Sequence, residues 1–170
     1  MIVNGLLGLN NIGIVMILTR NYNKLWQSYK NSIFQFPSPM NLKRKFVVIT
    51  AFNPLGHLYL KWRNFCLNRE LEHDLDKRGL EFLPVLVSDH QFDYLEHSFC
   101  VCMDLEEAVI IADHYQQFAV FIVDDNELSL CPCQLFIDQG IIEVERVGLF
   151  NHLVRSPKGA NQGIESMVWY

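Results

Sequence analysis

Glu96, in the segment Glu96-His97-Ser98-Phe99, is the carboxylate whose position suits it to proton transfer. It stands directly before an alternating, strand-like run, His97 to Cys102, where burial would raise its pKa into the range useful for general acid or base work. Thr50 and Ser98 are hydroxyls able to assist it. Set against this reading is the plainer one, a surface carboxylate at a strand start. The remaining polar candidates are neutral carboxamides: Asn53 after a long apolar strand, Asn64 and Asn68 on a helix, and Gln117 at the start of a later strand. Carboxamides bind and orient partners without changing charge, and no nucleophile–base pair can be named among them.

Counting 100° per residue from Asn64, the positions Leu67, Asn68, Leu71, Leu75 and Arg78 fall within about 60° of it and share one helical stripe. The C-terminal half of that stripe is leucine and reads as ordinary core. Its N-terminal half presents two asparagines, which need hydrogen-bond partners if buried. Local backbone capping satisfies an asparagine equally well, so the amides read either as a ligand site or as pins for the adjoining turn. In the expected sheet Gln117 joins them beside the end of the first long strand, whereas Glu96 is expected at the opposite end from Asn53.

Cys100 with Cys102 and Cys131 with Cys133 form two Cys-x-Cys pairs. Structural zinc ligands come more often as Cys-x₂₋₄-Cys on turns, and cysteine is a common core residue, so no metal or other cofactor is expected. Phosphate-loop, dinucleotide-binding and serine-hydrolase motifs are missing from the chain. Its 14 Lys and Arg against 19 Asp and Glu, net charge −5, disfavour a nucleic-acid partner.

The elements that must position these residues follow from periodicity and turn signals. Tyr22, Leu25, Trp26 and Tyr29 are spaced as a helix, and Ile33 to Phe36 is a short strand stopped by Pro37 and Pro39. Phe46 to Phe52 is a buried strand ended by Asn53-Pro54. Leu60 to Arg78 is a helix closed by Gly79, followed by a strand over Phe82 to Val87 and a polar loop from Ser88 to Leu95. A helix runs from Asp104 to about Gln116, with Asp104 and Glu107 spaced as a capping box. Phe118 to Val123 and Glu127 to Cys131 are strands joined by the turn Asp124-Asp125-Asn126. Ile141 to Val147 and Leu149 to Val154 read as one more strand and a short helical turn.

This order predicts an α+β fold: a ferredoxin-like βαββαβ sandwich with extra strands at both ends and its helices on one face of a mostly antiparallel sheet. At 170 residues and 50% hydrophobic the chain is long enough for one independent core. The expected organisation is a flexible extension over 1–17, one domain over 18–133, and a partly mobile C-terminal extension over 134–170. The N-terminal stretch is broken by glycines and asparagines and lacks a basic start, so neither a signal peptide nor a membrane span is expected. Five cysteines, which cannot all pair within one chain, suit a reducing, cytoplasmic setting.

Several segments resemble the bacterial domain-of-unknown-function family numbered 3293. They are Leu25-Trp26-Gln27-Ser28-Tyr29, Thr50-Ala51-Phe52-Asn53-Pro54, Asn64 with Asn68 and Leu71, Glu96-His97-Ser98-Phe99, and Glu107-Ala108 through Gln117-Phe118-Ala119. The resemblance spans roughly Leu18 to Cys131. It departs at Asn68 and Gln116, where the family pattern implies arginine and glycine. It implies no established activity, substrate or cofactor. Three functions remain open: a binding or regulatory module recognising a small polar ligand or a peptide through Thr50, Asn53, Asn64, Asn68 and Gln117; an enzyme using Glu96; and an assembly role in which the apolar terminal extensions pair with a second copy.

Overall fold

The computed structural model describes residues 22–37 and 45–155. The expected flexible extension over 1–17 and the part of the expected C-terminal extension beyond residue 155 lie outside these residues. In chain order the elements are α1 (22–30), β1 (Ile33–Gln35), β2 (Lys45–Ile49), a 3₁₀ turn (Pro54–Gly56), α2 (Lys61–Lys77), β3 (Phe82–Ser88), β4 (Leu95–Val101), α3 (Leu105–His114), β5 (Ala119–Asp124), β6 (Glu127–Pro132), α4 (Gln134–Ile137), β7 (Glu145–Leu149), α5 (Phe150–Leu153) and β8 (Val154–Arg155). None of the described helices is long and apolar enough to cross a membrane.

The eight strands form one mixed sheet in the order β7-β6-β5-β2-β4-β3-β1-β8. Every pairing is antiparallel except β1 with β8. The sheet must curl strongly. Laid flat, seven strand spacings would separate its edges by roughly 33 Å, yet the edge strands β7 and β8 are joined through α5 alone. The five steps from Leu149 to Val154 reach at most about 18 Å even when fully extended.

Strand alternation divides the core between the two faces. On the convex face Val47, Ile49, Phe99, Val101 and Val120 meet Leu71 and Leu75 of α2 and Ala108, Ile111 and Ala112 of α3. The concave face encloses Phe34, Phe46, Val48, Cys100, Phe121 and Leu130, sealed by Trp26 of α1, Phe136 of α4 and Phe150 of α5. Phe150 touches the rings of Phe34, Phe36 and Phe46 at centroid distances of 5.0, 6.1 and 5.3 Å. The expectation of helices on one face is therefore corrected: α1, α4 and α5 cover the second face, because curling gives it a concave apolar lining that needs its own cover. The residues following Cys133 contribute to this packing, since Phe136 is fully buried and β7 and β8 form the two sheet edges.

Two local expectations change as well. The first long strand ends at Ile49 and not at Phe52, because side chains take up the next backbone amides, as described below. Asp104 holds the N-cap position of α3 without making a side-chain cap bond, and Glu107 reaches instead to Arg78, the C-cap of α2, at 3.1 Å. No capping box forms.

The α3–β5 turn contains Gln116 at φ 55°, a left-handed conformation that costs a residue with a Cβ about 1–2 kcal/mol. Gln116 is exposed, so little packing is lost with its side chain. Gln116→Gly is expected to raise stability by about 0.5–1 kcal/mol, the relief of strain being partly offset by the greater freedom of the unfolded glycine. Thermal unfolding would register it as a rise of a few degrees, and a fall would contradict the strain argument.

Candidate functional site

Where β2 ends, the chain makes a tight turn that few sequences adopt freely. Asn53 (φ 49°, ψ 54°) and Leu55 (φ 57°) are both left-handed, on either side of Pro54. Two such residues store a few kcal/mol between them, and strain of this kind persists only where the surroundings impose it. Asn64, one turn into α2, supplies much of that constraint. Its Oδ1 accepts the Asn53 backbone N–H and its Nδ2 donates to Asn53 Oδ1, both at 2.9 Å. Asn53 Oδ1 also accepts the Tyr59 N–H at 3.0 Å, and Leu55 N–H donates to Gln116 O at 2.9 Å.

Asn68, one helical turn farther along α2, repeats the device. Its Oδ1 accepts the buried Ala51 N–H at 2.9 Å and its Nδ2 donates to His97 O at 2.8 Å. Thr50 Oγ1 donates to the same His97 oxygen at 2.7 Å and accepts the Phe52 N–H at 3.1 Å. The bridge needs a side chain that both accepts and donates; arginine, which has donors only, could not accept the Ala51 N–H. Gln117 Nε2 donates to Phe52 O and Tyr115 O, each at 3.0 Å. The carboxamides foreseen as a cluster thus gather around Thr50–Asn53, and those of Asn64, Asn68 and Gln117 are engaged with the main chain or with Asn53.

The remaining amine of Asn53 points elsewhere. Its Nδ2 donates to Tyr94 Oη at 2.9 Å, and Tyr94 Oη donates to Glu96 Oε1 in a short hydrogen bond. Glu96 is therefore at the same end of the sheet as Asn53, not the opposite end. The reason is topological: β4 runs antiparallel to β2, with Ile49 opposite Phe99, so the start of β4 must lie beside the chain leaving β2.

Glu96 and Ser98 share the concave side of β4 with Cys100. They open onto a cavity of about 300 Å³ between α1 and the sheet. Thr50, Asn53, Phe52 and Tyr94 line it at one end, and Tyr29, Val48, Val87 and Phe121 form its walls. Of the candidate residues, Thr50, Asn53, Glu96 and Ser98 face this space, whereas Asn64, Asn68 and Gln117 stand behind it. Ser88, buried with a hydroxyl that has no partner among the described residues, also borders it.

The electrostatics follow from burial. Glu96 is 8% exposed, and no Lys or Arg among the described residues is paired with it. Desolvation pushes its pKa from the usual 4.5 up to about 7, opposed by the hydrogen bonds from Tyr94 and Asn53. Burial, with Glu96 close by, raises the phenols of Tyr94 and Tyr29 well above their ordinary range. Burial, and secondarily Lys61, lowers the pKa of His97, whose ring lies between Phe65 and Phe52 at centroid distances of 4.9 and 5.5 Å.

Tyr94 and Tyr29 were not foreseen as site residues. Tyr94 lies in a segment that reads as a polar loop, and Tyr29 reads as one apolar position of an amphipathic helix. The Tyr-x-Glu spacing ahead of β4 was the available signal, since residues two apart on an extended chain face the same side. The thiols do not converge: Cys100 belongs to the concave core, and Cys131 and Cys133 to the convex one. Among the described residues no group of three His, Cys, Asp or Glu side chains could hold a metal ion.

Residues 49–120 match the model of the family Protein of unknown function (DUF3293). The match covers less than half of the chain and is narrower than the Leu18–Cys131 resemblance. It takes in Thr50, Asn53, Asn64, Asn68, Tyr94, Glu96, Ser98 and Gln117, and leaves out α1, β1, β2 up to Val48 and everything from Phe121 onward. No curated protein and no solved structure matches the chain.

Proposed function

We propose that the cavity is a small-molecule site and that Glu96 is its acid–base group, aligned by Tyr94 and framed by the strained Asn53 turn. The observation that carries this reading is the placement of a buried carboxyl, with no cationic partner among the described residues, on the wall of a largely apolar cavity. A carboxyl in such a place ionises near neutrality and can give or take a proton at working pH. The amides then have two roles. Asn53 and Thr50 face the ligand, and Asn64, Asn68 and Gln117 hold the backbone that presents them. This reading joins the binding and enzymatic possibilities at one site and favours a small molecule over a peptide, because the space between α1 and the curled sheet is only about 300 Å³.

A ferredoxin-like kinship for the central unit is part of the proposal. The order β5-β2-β4-β3, all antiparallel, with α2 and α3 packed on one face, is what that fold would present, and it brings the ends of its first strand and the starts of its third and fourth strands together at the site.

A thermal-shift screen of metabolites and nucleotides tests the site. A ligand present at a hundred times its Kd stabilises the folded state by about 2.7 kcal/mol. The expected result is a shift with the natural sequence that is lost in Ser98→Leu, whose larger side chain enters the cavity. A shift of equal size in both would place binding elsewhere and refute the reading.

A further inference from the structure

We infer that the cavity takes a small organic cation with a flat apolar body, such as a protonated amine or amidine, its charge directed at Glu96. The inference rests on the cavity being a ligand site and adds the chemical class. Its charge lining is one-sided. Glu96 and Asp89 border the cavity, and no Lys, Arg or His does among the described residues. An anion would meet carboxylate and phenol oxygens with no compensating charge, and a neutral apolar molecule would leave the ionised Glu96 buried without a counter-charge. A cation answers both. The walls fit it as well: the rings of Tyr29, Phe52, Tyr94 and Phe121 line the same space, and aromatic faces attract desolvated cations. The cavity, about 300 Å³, is at the small end of ligand pockets, which limits the occupant to roughly one ring and a short arm.

The titratable groups facing Glu96 are Tyr94 just before its strand, Tyr29 from α1 and Asp89 from the β3–β4 connection; β2 with the residue after it and β5 offer only Val48, Ile49, Thr50, Ala119 and Phe121 there. Glu96 is placed to change charge near neutral pH, whereas both phenols, raised by burial, stay protonated there.

The test is calorimetric titration of the full chain with benzylamine, benzyl alcohol and benzoate, which share one ring and differ in charge. Benzylamine should bind best, roughly tenfold tighter at pH 8 than at pH 6 because only the ionised Glu96 pairs with it, and both Glu96→Gln and Ser98→Leu should abolish its binding. Equal or tighter binding of benzyl alcohol or benzoate, lost in Ser98→Leu, would overturn the cation assignment and leave the cavity as a site. Benzylamine binding unchanged in Glu96→Gln would overturn the assignment too. Failure of all three probes, together with a metabolite screen that gives no shift sensitive to Ser98→Leu, would overturn the site reading along with it.

Discussion

Glu96→Gln should make the protein more stable at pH 8 while removing whatever chemistry the cavity performs. The folded-state pKa of Glu96, about 7, lies above its ordinary 4.5, so the folded protein holds this proton more tightly than the unfolded chain does. The stabilisation it contributes is fully present below about pH 4.5 and is lost as pH rises through about 7. A displacement of this size corresponds to on the order of 3 kcal/mol, which sets the upper limit of the gain because the new amide N–H₂ also needs partners. Urea denaturation of both proteins between pH 4.5 and 8 would check it. The natural sequence should lose stability across this interval and the variant should stay nearly level. Parallel curves would mean that Glu96 is not held in an apolar environment.

Asn64→Ala should have the opposite sign and a comparable size. It removes both amide bonds to Asn53, leaves the buried Asn53 N–H without its acceptor, and frees a turn that two left-handed residues would rather leave. An unsatisfied buried donor costs about 1–3 kcal/mol and the second lost amide bond about 1 more, partly offset by the strain shed as the turn relaxes, for an expected loss of about 1–3 kcal/mol in denaturant titration. The effect should also reach the cavity, because Asn53 holds Tyr94 and Tyr94 holds Glu96. A loss below about 0.5 kcal/mol would show that the turn keeps its shape without Asn64.

How far these features could be read from the chain depended on the range of the interaction that sets each one. The stripe of Asn64, Asn68, Leu71 and Leu75 on α2 is a local property of a 3.6-residue period, and those four are the buried residues of that helix. The convergence of Asn53, Asn64 and Asn68 was legible for the same reason, since strand, turn and helix are contiguous, whereas Gln117 joined them through the expected strand order. What they bind was not: each carboxamide satisfies backbone N–H or C=O as readily as a ligand, and only coordinates show that Asn68 bridges Ala51 to His97. The position of Glu96 turned on strand direction, a non-local property, and its misplacement at the far end came from the assumed orientation of the third strand. The second helical layer was missed because Trp26, Phe136 and Phe150 are far apart in sequence and meet only when the sheet curls. Phe150 could have signalled this, being an aromatic flanked by two short strand-like runs and lacking any local partner.

The most direct measurement is a carbon-13 NMR titration of the Glu96 side-chain carboxyl, assigned by comparison with Glu96→Gln. It should titrate near 7 in the free protein and move downward when benzylamine is added, as a buried carboxyl gaining a cationic partner must. Titration near 4.5, unaltered by the amine, would contradict the account, because it would place the carboxylate in water and leave the cavity without its ionisable group.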